Sequence, residues 1–83
     1  MGTQTIPDDL VRTQVDALRT YEALARTANG RSRTALRRLL VQLTARVDAH
    51  PHWQGRTPPP GARFEVRRRA RDRIAGARET ART

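Results

Sequence analysis

Five arginines fall within seven residues in Arg67-Arg68-Arg69-Ala70-Arg71-Asp72-Arg73, and Arg63 and Arg78 extend the run on either side. A guanidinium is planar, permanently charged, and donates paired hydrogen bonds to a phosphate or carboxylate. A series of them along a helix suits a phosphate backbone, where each neutralised phosphate releases counterions. Helical spacing gathers Arg63, Arg67, Arg71 and Arg78 toward one side, while the rest of the cluster spreads round most of the circumference. The plainer interpretation is a solvated helix face or a charged, soluble tail.

A second group, Arg31, Arg33, Arg37 and Arg38, stands at the start of a helical stretch. Cations there oppose the helix dipole, whose N-terminal end is already positive. The arrangement makes more sense if an anion visits, since free backbone N–H groups at a helix start also favour phosphate. The plain alternative is that these side chains solvate a turn.

Other chemistry is thinly supplied. His50, His52 and Asp48 lack common zinc-site spacing, and no Cys exists to complete a set, so neither metal nor cofactor is expected. The chain has no Gly-rich phosphate loop and no carboxylate pair in an apolar setting. Its single serine, Ser32, is better used as a helix cap, so catalysis is not expected. Trp53 is the one strong candidate for base stacking, but in its Pro-rich surroundings it reads better as a plug for the open end of a hairpin. Pro58-Pro59-Pro60 reads as a stiff spacer in preference to a ligand for a proline-binding domain.

The total charge sharpens this. All seventeen basic residues are Arg, against eight acids, for a net +9. Residues 1–50 hold eight Arg and five acids (+3); residues 51–83 hold nine Arg and three acids (+6). Choosing Arg over Lys is what a GC-rich coding sequence produces, giving the look of a small bacterial or phage accessory protein. Codon bias does not explain a twofold excess of base over acid. Nucleic acid, an acidic protein or an anionic membrane would. The membrane is the weakest of these, because the basic segment lacks a bulky apolar face. No basic-then-apolar leader opens the sequence and no stretch approaches a membrane span, so a soluble, cytoplasmic protein is expected.

These residues need elements to position them. Over residues 6–28, Leu10, Val11, Val15, Leu18, Tyr21, Leu24, Ala25 and Ala28 recur at three- and four-residue steps, predicting an amphipathic helix. Arg12, Thr13, Asp16, Arg19, Thr20 and Arg26 fall opposite. Thr5 and Asp8 have capping-box spacing, and Asn29-Gly30 reads as the stop, with Gly30 in a left-handed cap. Residues 33–49 repeat the pattern with Leu36, Leu39, Leu40, Leu43 and Val47, with Ser32 or Thr34 as cap and Val41 on the far side. The short link implies an antiparallel hairpin. Residues 50–62, rich in Pro and Gly, form a loop, and residues 63–83 a basic helix docking sparsely through Phe64, Val66 and Ile74.

The expectation is therefore one all-α domain: an antiparallel helical hairpin (1–49), a Pro-rich loop (50–62) and a basic third helix (63–83). It would be a loose three-helix bundle or half of a dimeric bundle, because the first helix has a wider apolar face than the second can cover. The function expected is a nucleic-acid-binding accessory or regulatory protein that contacts phosphates through both Arg clusters. The alternative is an adaptor or inhibitor whose basic helix docks on an acidic protein. A base-reading helix-turn-helix fits less well, since the second helix offers only Gln42 for base readout.

Overall fold

The computed structural model describes residues 6–82. Three helices follow in order, α1 (Asp8–Arg26), α2 (Gly30–Asp48) and α3 (Pro60–Arg82), with a 3-10 turn over Pro51–Trp53 before the last. The protein is all-α, with the hairpin, loop and basic third helix in the expected order. Both α2 and α3 pack on α1, but they do not pack along each other. With extents of 48 × 36 × 18 Å, the molecule is a slab less than two helices deep, with α1 in the middle.

Burial on α1 follows from having a neighbour on each side. Leu10, Val11 and Val15 are buried, as the periodicity predicts, but Ala17 and Thr20 are buried too. Thr20, which spacing placed on the polar face, donates its hydroxyl to the Asp16 carbonyl at 2.7 Å, so its burial leaves no donor unpaired. Tyr21, Ala25 and Ala28 belong to the predicted stripe yet are exposed, Tyr21 by 63%. On α2 the inward residues are Leu43 and Val47; Leu36 and Leu40 are half-buried, while Leu39 and Val41 are exposed.

The third helix docks through Val66, Ala70 and Ile74, at four-residue steps. Ala70 and Ile74 meet Val11 and Val15 of α1. Phe64 does not share in this docking: it is out of phase with those steps and 63% exposed. One junction joins every element, with Leu10 of α1, Val47 of α2, Trp53 of the turn and Val66 of α3 forming a single buried cluster. The Trp53 indole N–H donates to the Val47 carbonyl at 2.8 Å, so the ring plugs the end of the hairpin with its polar atom satisfied.

The helix ends differ from the sequence expectation in instructive ways. Thr5 lies outside the described residues; Pro7 occupies the N-cap of α1 and makes no side-chain cap hydrogen bond. Gly30 is not a left-handed stop but the first residue of α2, and Asn29 caps that helix by accepting from the Ser32 N–H at 3.0 Å. Neither Ser32 nor Thr34 is the cap; the Thr34 hydroxyl donates back to the Gly30 carbonyl. The left-handed conformation appears instead at Gln54 and Gly55, after the 3-10 turn. The spacer is shorter than expected, because Pro60 starts α3, where a missing N–H costs nothing.

Leu10→Ala should lower unfolding free energy by about 2–5 kcal/mol, whereas Val41→Ala should stay within about 0.5 kcal/mol of the parent. Trp53→Phe keeps most of the plug but removes the indole hydrogen bond, leaving the Val47 carbonyl with the His50 N–H alone at 3.3 Å, at a cost of about 0.5–1.5 kcal/mol. Denaturant midpoints monitored by circular dichroism measure all three.

Candidate anion-binding face and groove

The eleven arginines singled out from sequence divide by what they touch. Six are engaged within the fold. Arg33 donates through one Nη1 to the carbonyls of Leu24 and Thr27, both at 3.0 Å, closing the C-terminal end of α1. A cation suits that end, where unpaired carbonyls leave partial negative charge. Arg33 thus opposes the dipole of α2 but serves that of α1. Arg63 pairs with Asp48 at 3.3 Å, tying the start of α3 to the end of α2, although its Nε is buried without an acceptor. Arg68 and Arg69 both grip Glu65, at 3.0 and 3.2 Å. Arg73 reaches Asp8 at 2.6 Å and Arg78 reaches Glu22 at 3.0 Å, pinning α3 to α1. Asp8 and Glu22 also hold the expected partners Arg12 and Arg26 one turn away.

These pairs shift the carboxyls. The hydrogen bond from Arg73, then its charge, holds Asp8 below the usual carboxylate range. Asp9 is lowered chiefly by a hydrogen bond from His50, whose Nε2 lies 3.0 Å away. Glu65 is lowered by Arg68 and then Arg69, and Glu65 in turn raises Arg68. His50 works as a clasp: its Nδ1 accepts from the His52 N–H at 3.0 Å, which leaves Nε2 to donate to Asp9. Among the described residues, no group of three or more His, Cys, Asp or Glu is placed to hold a metal ion.

The other five arginines, Arg31, Arg37, Arg38, Arg67 and Arg71, are exposed and make no hydrogen bond or ion pair among the described residues. Arg67 and Arg71 line one side of a groove of about 430 Å³, with Leu40 and Thr44 of α2 on the other. The floor comes from α1, through Gln14, Leu18 and Tyr21. Arg37 and Arg38 are not part of that lining; they border a separate open hollow on α2, with Thr34, Val41 and Gln42. Sequence reasoning found the arginines but missed the floor. Its signal was available, in an apolar face on α1 wider than α2 can cover.

The class defined by this geometry is a small three-helix protein with a basic face. Residues 9–69, well over half of the chain, match the profile of DUF8825, described as a domain of unknown function, and the chain belongs to that family. The match takes in the hairpin, the turn and α3 as far as Arg69, so it includes Arg67 but not Arg71. No curated protein and no solved structure matches the chain. Among the described residues, no helix is long and apolar enough to cross a membrane.

Carboxylates held below their ordinary pKa stabilise the fold fully above about pH 5, and that contribution is lost as pH falls through their lowered values. The doubly substituted Asp8→Asn/Glu65→Gln protein should therefore be less stable than the parent near neutral pH. The gap should close between about pH 5 and about pH 2, as the parent's own carboxylates take up protons. Thermal midpoints across that range, at low and high salt, check it. A gap unchanged at low pH would mean the substitutions act through something other than these ion pairs.

Proposed function

We propose that this protein is a nucleic-acid-binding accessory or regulatory factor that contacts the phosphate backbone through Arg37 and Arg38 on α2 and Arg67 and Arg71 on α3. One observation supports the reading: these four guanidinia have no partner among the described residues and stand on the two helices that flank the groove. Arg33 is taken up in capping α1, Arg63, Arg73 and Arg78 in ion pairs between helices, and Arg68 and Arg69 in pairs with Glu65 of their own helix, so their availability to phosphate is reduced. Arg31, also without a partner among the described residues, extends the basic surface toward the hairpin turn. The contact is sequence-tolerant, because guanidinia on phosphates fix position without reading bases. No chemical step is assigned to the site; the protein acts by occupancy and charge.

Fluorescence anisotropy with labelled duplex DNA, single-stranded DNA and structured RNA, titrated from low to physiological salt, tests this. Each lost phosphate contact flattens the log–log salt slope by about 0.9 on duplex and about 0.7 on single strands. Replacing Arg37, Arg38, Arg67 and Arg71 by Gln should thus flatten it by roughly 3 to 4 on duplex. Replacing Arg68, Arg69 and Arg73 by Gln should change the slope much less while lowering thermal stability. Equal slope changes in the two variants would return the phosphate contacts to the whole α3 cluster. Binding that vanishes at physiological salt in the parent would overturn the proposal.

A further inference from the structure

The groove floor remains to be explained, since phosphates have no use for it. Leu18 and Tyr21 of α1 and Leu40 of α2 present apolar surface between two helices that stand apart. Val11 and Val15, along one edge of α1, are covered by α3, and Leu10, along the other, meets Val47 of α2. The strip between those edges is only partly covered: Leu18 is half-buried against the α3 contact, and Tyr21 is 63% exposed. Phe64, equally exposed, precedes Arg67 by three residues and Arg71 by seven, so it continues the α3 wall of the groove on the same side of that helix.

We propose that this groove is the docking site for an amphipathic helix of another protein, with an apolar stripe flanked by acidic residues. The shape argument is that the floor repeats at helical spacing and the walls are helices. A helix laid between them presents its own i, i+3, i+4 and i+7 side chains to Leu18, Tyr21 and Leu40. The charge argument selects the occupant. Among the described residues the lining holds Arg67 and Arg71, neither with a partner, and no acid. A second copy of a +9 chain would bring like charge to that wall, whereas acidic flanks would supply the missing counter-ions. The proposal is independent of nucleic-acid binding, because Leu18, Tyr21 and Leu40 have no part in phosphate contact. Both ligands would meet Arg67 and Arg71, so an acidic helix in the groove would compete with nucleic acid for them.

The test is selection from a displayed library of helix-forming peptides of about fifteen residues, roughly four turns, on the full-length protein. Enriched peptides should carry the apolar stripe with Asp or Glu on its flanks. Tyr21→Ser, and separately Arg67→Gln/Arg71→Gln, should each weaken a selected peptide by roughly tenfold or more, as substitutions at the centre of an interface do. Arg68→Gln/Arg69→Gln should leave it within about twofold. Because Tyr21 is largely exposed, Tyr21→Ser should keep the helical circular dichroism of the parent. An empty selection, enriched peptides without stripe or acids, or binding indifferent to Tyr21→Ser overturns the proposal. So does sedimentation showing a dimer that Tyr21→Ser dissolves, which would assign the floor to a second copy. Loss of labelled oligothymidylate binding in Tyr21→Ser would assign it to base stacking and overturn the proposal as well. Phosphate contact fails separately, through the salt slope of the four-arginine variant.

Discussion

Everything in this fold leans on the end of the bundle where Trp53 closes over Leu10, Val47 and Val66. A chain of 83 residues with one Trp, one Tyr and one Phe cannot spread its burial widely. It concentrates the largest ring at the one place where all three helices and the intervening turn converge. The 3-10 turn brings Trp53 into reach, and the indole N–H fastens to the carbonyl of Val47, so the loop is bound to the helix it has just left. From that point α2 and α3 run out along the two sides of α1. Their separation, and hence the groove, is set by how the turn launches α3 at Pro60.

Beyond the junction, the rest of α3 buries little: Ala70 and Ile74 are the inward residues of its later turns. Helices with so narrow an apolar stripe are marginal alone. Here ion pairs supplement packing, with Arg73 on Asp8, Arg78 on Glu22 and Arg63 on Asp48 at three points along the helix. Exposed pairs contribute little singly, and their value lies in fixing the orientation of a helix that hydrophobic contact leaves loose. The arginine excess thus has two populations, one that orients α3 and one left facing outward with its charge uncompensated.

That division explains how much of the site was legible beforehand. The Arg67 to Arg73 cluster is visible as a run of residue types, and the Glu65 pairs with Arg68 and Arg69 lie at three- and four-residue spacing, but no run can show that Asp8, sixty-five positions away, captures Arg73. The local pairs of Arg12 with Asp8 and Arg26 with Glu22 follow from four-residue spacing and are present. Arg33 misled for a similar reason. Judged against its own helix it opposes a dipole, and only the fold brings it onto the carbonyls that end α1. The helix boundaries drifted by a few residues where Asn29 and Pro60 act as starts, since a Gly or Pro near a junction serves either of two neighbouring elements.

By itself the sequence determined the all-α class, the hairpin, the order of elements and the sign and bias of the charge, because helical periodicity and composition are local properties of the chain. It determined too that α1 carries more apolar surface than α2 can cover. Only the tertiary structure decided how that surplus is shared: α3 takes the Val11 and Val15 edge, and the Leu18 and Tyr21 strip is left as the floor of a groove. It likewise decided which arginines are tied to acids of another helix, Arg63, Arg73 and Arg78. Both outcomes depend on where α3 lies against α1, an arrangement set by contacts between residues far apart in the chain, which no local spacing encodes.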